Sequence, residues 1–158
     1  MQKDAVLSEC KQYRYSLSRI WDQTKPLIGF IGLNPSTADH IEDDKTISRC
    51  ISFSKSWGFG GFYMMNLFAY RATAPLNMME AEEPIGMENN NYLQELKNKV
   101  EKVVICWGDN GRHNGRSKEV LSLLDQGDLY CITINKSGEP KHPLYIKGDA
   151  QLIPYKTS

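Results

Sequence analysis

The chain has 158 residues, 41% hydrophobic, 24% charged and 10% aromatic, the proportions of one soluble globular domain with a single sizeable core rather than of a disordered, collagen-like or membrane chain. Lys plus Arg and Asp plus Glu number 19 each, for a formal net charge of +0, so any polyanion site must be a local patch rather than a global field. No apolar run approaches the roughly 18 residues that span a bilayer, and the N-terminal stretch lacks the apolar centre of a signal peptide, so a cytoplasmic protein without a membrane partner is expected.

In chain order, Tyr13 to Trp21 alternates weakly and reads as an added edge strand. Leu27 to Leu33 is a short, nearly continuous apolar run of the kind that forms a strand covered on both faces. Thr46 to Trp57 follows the capping candidates Asp43 and Asp44 and sets Ile47, Cys50, Ile51 and Ser54 on one helical stripe. Phe62 to Phe68 is the second buried strand, and Asn89 to Lys102 the second helix, with Leu93, Leu96 and Val100 in register. Val103 to Trp107 is the third strand, Ser117 to Leu124 a third helix, and Leu129 to Ile134 the fourth strand.

Strand and helix alternate throughout, and parallel neighbours need crossovers of helix length. The expected fold is therefore α/β, a three-layer α/β/α arrangement with a largely parallel central sheet, in one domain over 1–158. The four cysteines are scattered without a CxxC pair and read as structural thiols. In open sheets of this class ligands bind beyond the carboxyl ends of the strands, so the loops that follow the strands are where chemistry is sought.

Those loops are rich in reactive side chains. The first runs Gly32, Leu33, Asn34, Pro35, Ser36, Thr37, Ala38, Asp39 and then Glu42, Asp43, Asp44. Gly and Pro stiffen it, so its amide and hydroxyls either project from a preorganised turn or cap the next helix. The second strand contains Asn66 among apolar residues, followed by Phe68, Tyr70 and Arg71. A buried amide costs a few kcal/mol unless bonded, so Asn66 serves either a neighbouring backbone or a ligand, and a carboxamide suits the edge of a nucleobase. After the third strand, Gly108, Arg112, His113 and Arg116 surround a helix start, which reads as a phosphate cradle or as a solvated basic face. After the fourth come Lys141, His142, Pro143, Leu144 and Tyr145, a stiff turn mixing basic and apolar groups.

From Arg14 to Tyr155 the chain resembles the bacterial and phage domain-of-unknown-function family 1643. The motifs concerned are GLNPSTAD at Gly32 to Asp39, Asp43 with Asp44, Trp57 with Gly58, NLFAYRAT at Asn66 to Thr73, Trp107 with Gly108, and HPLY at His142 to Tyr145. More distantly the same motifs, in the same order, resemble the uracil-DNA glycosylase superfamily, in its mismatch-specific branch. That resemblance implies that Asn34 holds an attacking water, that Asn66 reads a base, and that the His142–Pro143 loop clamps the departing base and the nucleic-acid backbone. Two departures stand out: Asn34 occupies the place of the water-activating Asp of the most active branch, and Leu144 replaces the Ser after His-Pro.

The chemistry implied is hydrolysis of an N-glycosidic bond, which needs a positioned water and a donor toward a base leaving with negative charge. Asn34 and His142 would supply these. An amide has no useful basicity, so the proton acceptor would be Asp39, Asp43 or Asp44. Phe68 or Tyr70 would stack on the base that Asn66 pairs with, while Leu144 and Tyr145 would act as wedges. Ser36, Arg71, Arg112, Arg116 and Lys141 are the candidates to touch phosphate. The expected partner is a nucleobase, nucleotide or nucleic acid, DNA ahead of RNA, and no cofactor or metal is called for. A catalytically silent nucleotide or nucleic-acid module is the alternative reading. A lesser one takes Asp39, His40, Glu42, Asp43 and Asp44 as a divalent-metal site for phosphoester hydrolysis.

Overall fold

The computed structural model describes residues 1–124 and 128–155. Seven strands form one sheet in the order β1-β2-β4-β3-β5-β6-β7. They are β1 (Gln2–Leu7), β2 (Arg14–Ile20), β3 (Leu27–Gly32), β4 (Gly61–Asn66), β5 (Lys102–Ile105), β6 (Leu129–Cys131) and β7 (Ile153–Pro154). The helices are α1 (Lys45–Ser56), α2 (Pro75–Glu80), α3 (Asn89–Glu95) and α4 (Arg116–Leu123). No helix among the described residues is long and apolar enough to cross a membrane.

The sheet is mixed, which corrects the expectation of a largely parallel one. Strands β4, β3, β5 and β6 form a parallel centre, but β1 pairs antiparallel with β2, β2 with β4, and β7 with β6. The segment expected at the edge is in fact internal, because β1 covers its outer side. Local pattern does not mark β1, because QKDAVL is mostly exposed and carries little apolar signal, nor β7, which is two residues long and includes a proline. The connection from β1 to β2 is too short for a crossover, so that pairing must be antiparallel.

Alternate residues of the central strands face opposite layers. Phe30, Phe62 and Met64 pack with Ile47, Cys50 and Phe53 of α1 in one apolar cluster. Ile31, Met65 and Ile105 pack with Met78 of α2, Leu93 of α3 and Val120 of α4 in the other. Helices thus cover both faces of the sheet. Asp44 caps α1, its carboxylate accepting from the Ile47 N–H at 2.9 Å. The second expected helix is shorter than its apolar stripe implies: α3 ends at Glu95, and Leu96–Asn98 tightens into a 3-10 turn ahead of β5. Cys50, Cys106 and Cys131 are buried free thiols, and Cys10 is exposed.

Candidate functional site

The parallel strands reach their carboxyl ends at a reversal of strand order, since β4 lies on one side of β3 and β5 on the other. At that end a cavity of about 30 Å³ is lined by Arg14, Leu33, Asn34, Pro35, Ser36, Asp44, Thr46, Ile47, Met64, Asn66 and His142. Five segments remote in sequence therefore supply its walls.

Asn34 leaves β3 on a tight turn and donates from Nδ2 to the Ala72 carbonyl at 2.9 Å and to the Pro35 carbonyl at 3.1 Å. Its orientation is set by the protein, while its Oδ1 accepts from no described residue. The loop itself is held from outside by Arg71, which donates to the carbonyls of Ser36 (3.1 Å), Thr37 (3.2 Å) and Lys11 (3.2 Å).

Asn66 ends β4 and is 2% exposed. Its Oδ1 accepts from Nη2 of Arg14 at 3.3 Å. Arginine is a donor only, so this contact turns the amide nitrogen away from the guanidinium and leaves its N–H groups for another acceptor. Gly32 makes room for that arrangement: a Cβ there would lie 2.7 Å from Met64 Cε and 3.1 Å from Asn66 Nδ2. The carbonyls of Asn66 and Leu67 are satisfied by the buried Asn89 amide at 2.9 and 3.0 Å.

His142 caps the 3-10 turn Pro143–Tyr145, its Nδ1 accepting from the Leu144 N–H at 3.3 Å. This bond assigns the hydrogen of the neutral ring to Nε2. Gly108, at φ 76°, abuts the same turn, with its absent Cβ only 3.7 Å from that of His142 and its N–H bonded to the Pro140 carbonyl at 2.8 Å. Behind it, Trp107 Nε1 donates to the buried Glu139 carboxylate at 2.6 Å, and Ser117 Oγ bonds the same group at 3.1 Å. Asn66, His142 and the turn after Gly32 thus supply cavity walls, whereas Trp107 and Gly108 do not line the cavity and stand behind His142.

Burial lowers the His142 pKa, opposed by the nearby Asp44 charge. A depressed pKa means that the folded state binds fewer protons than the unfolded chain. The stability His142 contributes is therefore fully present above its ordinary value of 6.5 and is lost as pH falls through the lower folded value. Urea unfolding at pH 7.5 and pH 5 should show this loss in the native protein and a smaller one in His142→Gln.

The other residues singled out in the sequence lie elsewhere. Asp39 does not face the cavity; its carboxylate accepts from the Ile41 and Glu42 N–H groups at 2.8 Å each. Asp43 is bonded to Arg19 at 2.8 Å and Lys3 at 3.3 Å. Phe68 is wholly buried in the layer of α2, α3 and α4, and Tyr70 packs against that same layer; β4 ends at Asn66, and neither ring lines the cavity. Arg116 is 1% exposed and spends its donors on the Leu67 carbonyl at 2.9 Å, Asn90 at 2.7 Å and Glu119. Arg112 bonds Glu139 and the Ser137 carbonyl. Arg116 thus braces the loops with its donors engaged, whereas the Arg112 side chain is 59% exposed and neither arginine lines the cavity. Lys141 is half-buried on the strand-like approach to His142, whereas Leu144 and Tyr145 are 38% and 74% exposed beside the cavity.

The carboxylate-rich loop does not assemble as a metal centre. Among the described residues no three His, Cys, Asp or Glu side chains gather in a way that could hold an ion. Asp39, Asp43 and Asp44 are drawn apart by their separate donors.

Arg14 and Glu139 were not singled out in the sequence. Arg14 sits in a weakly alternating segment that reads as an exposed edge, and only β1 makes it internal. For Glu139 a signal exists: an indole N–H at the end of an apolar strand needs an acceptor somewhere.

A seven-stranded mixed α/β sheet with helices on both faces, bearing a polar cavity at the carboxyl ends of its central strands, defines the class. The chain belongs to the family described as protein of unknown function (DUF1643), whose model matches residues 14–144. Searches of curated proteins and of solved structures found no match.

Proposed function

We propose that this cavity recognises a nucleobase and that the protein is a uracil-DNA glycosylase-like enzyme hydrolysing an N-glycosidic bond in DNA or in a nucleotide. The observation that supports the reading is the presence of Asn34, Asp44, Asn66 and His142 together on one cavity at the strand ends. A volume of about 30 Å³ accommodates water. Asn34 Oδ1 is free to orient that water. Of the three candidate bases, only Asp44 lines the cavity, and with one oxygen engaged by the α1 cap the other is available to accept the proton. His142 Nε2–H is the donor toward the departing base, and the Asn66 amide N–H suits a base carbonyl.

A base is too large for the cavity as it stands, so entry requires the turn of His142, Leu144 and Tyr145 to move outward. Unstacking the base costs a few kcal/mol and is cheapest in single-stranded, mispaired or modified sites. The test is release of base from oligonucleotides bearing uracil, mismatched and modified bases, and from free nucleosides. Asn34→Ala and His142→Ala are each expected to lower the rate more than about tenfold while the protein remains folded, since both are loop positions. No release from any substrate would eliminate the enzyme reading; undiminished rates in both variants would eliminate the site assignment.

A second reading is a silent module that binds a nucleotide or nucleic acid without cleaving it. It is favoured by the amide at Asn34, where the most active branch resembled here carries Asp, and by Leu144 after His-Pro. Calorimetry with nucleotides and short oligonucleotides would show binding without turnover.

A further inference from the structure

Three arginines are essentially buried: Arg14 at 2%, Arg19 at 0% and Arg116 at 1%. A guanidinium has five N–H groups. Those of Arg19 are all answered: Nε by Asp43, Nη1 by the carbonyls of Asp4 and Ser18, and Nη2 by those of Asp39 and Glu42. Arg116 has a carbonyl, an amide oxygen and a carboxylate. Arg14 is different. It donates to the Ala38 carbonyl at 3.1 Å and to Asn66 Oδ1 at 3.3 Å, its Nε has no acceptor, and among the described residues no carboxylate oxygen lies within ion-pair distance of it.

Burying a cation with neutral partners only is costly, and natural interiors avoid it unless something completes the pair. Arg14 lies on the wall of the cavity that also holds Asn34, Ser36 and His142; at about 30 Å³ it holds little more than a water, so the missing partner enters only when the turn of His142, Leu144 and Tyr145 moves outward. Asp44, on the same wall, is an opposing charge that Arg14 feels but that lies beyond ion-pair distance of it, with one oxygen on the cap of α1.

We propose that Arg14 is an anion receptor, whose uncommitted N–H groups take the oxygens of a small delocalised oxyanion. Two sources share that chemistry: a phosphoryl group, or a lactam ring that has lost its proton, as a departing base has. The inference reaches beyond bond cleavage, because the anion site exists whether or not the protein is a hydrolase.

The test is thermal unfolding and calorimetry of the full chain in a buffer free of small anions. The probes are inorganic phosphate, 5-nitrouracil as a pyrimidine ionised at neutral pH, and thymine as its neutral counterpart. At ten times its dissociation constant a bound probe should raise Tm by about 3–5 °C. Arg14→Met should abolish that shift without lowering Tm in the anion-free buffer, since it removes an uncompensated charge while keeping volume. Asp44→Asn, which removes that opposing charge, should tighten the same probe several-fold and serves if Arg14→Met does not fold. Response to phosphate alone identifies a phosphoryl ligand, and response to 5-nitrouracil over thymine identifies an ionised base; either supports the receptor. No response to any probe, an equal response to thymine, a shift that persists in Arg14→Met, or unchanged affinity in Asp44→Asn would overturn it.

Discussion

Asp44→Asn is expected to slow base release by at least about 100-fold in single-turnover assays, within the range lost when a positioned general base is removed. The substitution is nearly isosteric, and Asn caps a helix as well as Asp does, so α1 should keep its start and the unfolding midpoint should hardly move. Only the capacity to accept a proton is lost. Asp43→Asn, one residue earlier, is the control for loop chemistry: its carboxylate faces Arg19 and Lys3 rather than the cavity. If Asp44→Asn cleaves at the native rate, the proton goes elsewhere and the mechanism proposed here is wrong.

The largest effect on stability is expected at Asp43→Ala. Arg19 is fully buried and Asp43 is its one carboxylate partner among the described residues, with a side chain 24% exposed. Removing one member of a buried pair costs about 3–5 kcal/mol because a charge is left uncompensated. Discounted for the exposure of Asp43 and for the four carbonyls that still surround Arg19, about 2–3 kcal/mol is the expected loss. Chemical denaturation at pH 7 measures it directly. The pH dependence has a defined sign. Burial raises the Asp43 pKa, but the hydrogen bonds and charges of Arg19 and Lys3 outweigh it, and the carboxyl is held below its ordinary 3.8. Its stabilisation is therefore present above 3.8 and disappears as pH falls through the lower folded value. A difference between native protein and Asp43→Ala that persists unchanged well below that window would show that the pair is not its source.

These two neighbouring carboxylates illustrate what a sequence leaves open. Asp39, Asp43 and Asp44 occur within six positions and are chemically equivalent on paper. One ends as a turn acceptor, one as the counter-charge of a buried arginine and one on the cavity wall, because each meets a different N–H or guanidinium once the chain is folded. Phe68 and Tyr70 make the same point. They follow Asn66 at strand spacing, which suggests a shared face, yet the strand stops at Asn66 and both rings pack into the opposite layer.

What local pattern determined by itself was considerable. The four apolar runs became the parallel strands β3 to β6, the stripe after Asp44 became α1, the loops after those strands supplied Asn34 and His142, and the end of β4 supplied Asn66. Periodicity and capping act between residues a few positions apart, so a linear reading reaches them. Pairing partners do not work that way. The burial of β2 depends on β1, whose own residues are mostly exposed and half of them polar, and the cationic wall formed by Arg14 depends on that burial. Tertiary structure decided which arginine is saturated and which is left short of acceptors, because desolvation and hydrogen-bond completion are properties of neighbours brought together from distant parts of the chain.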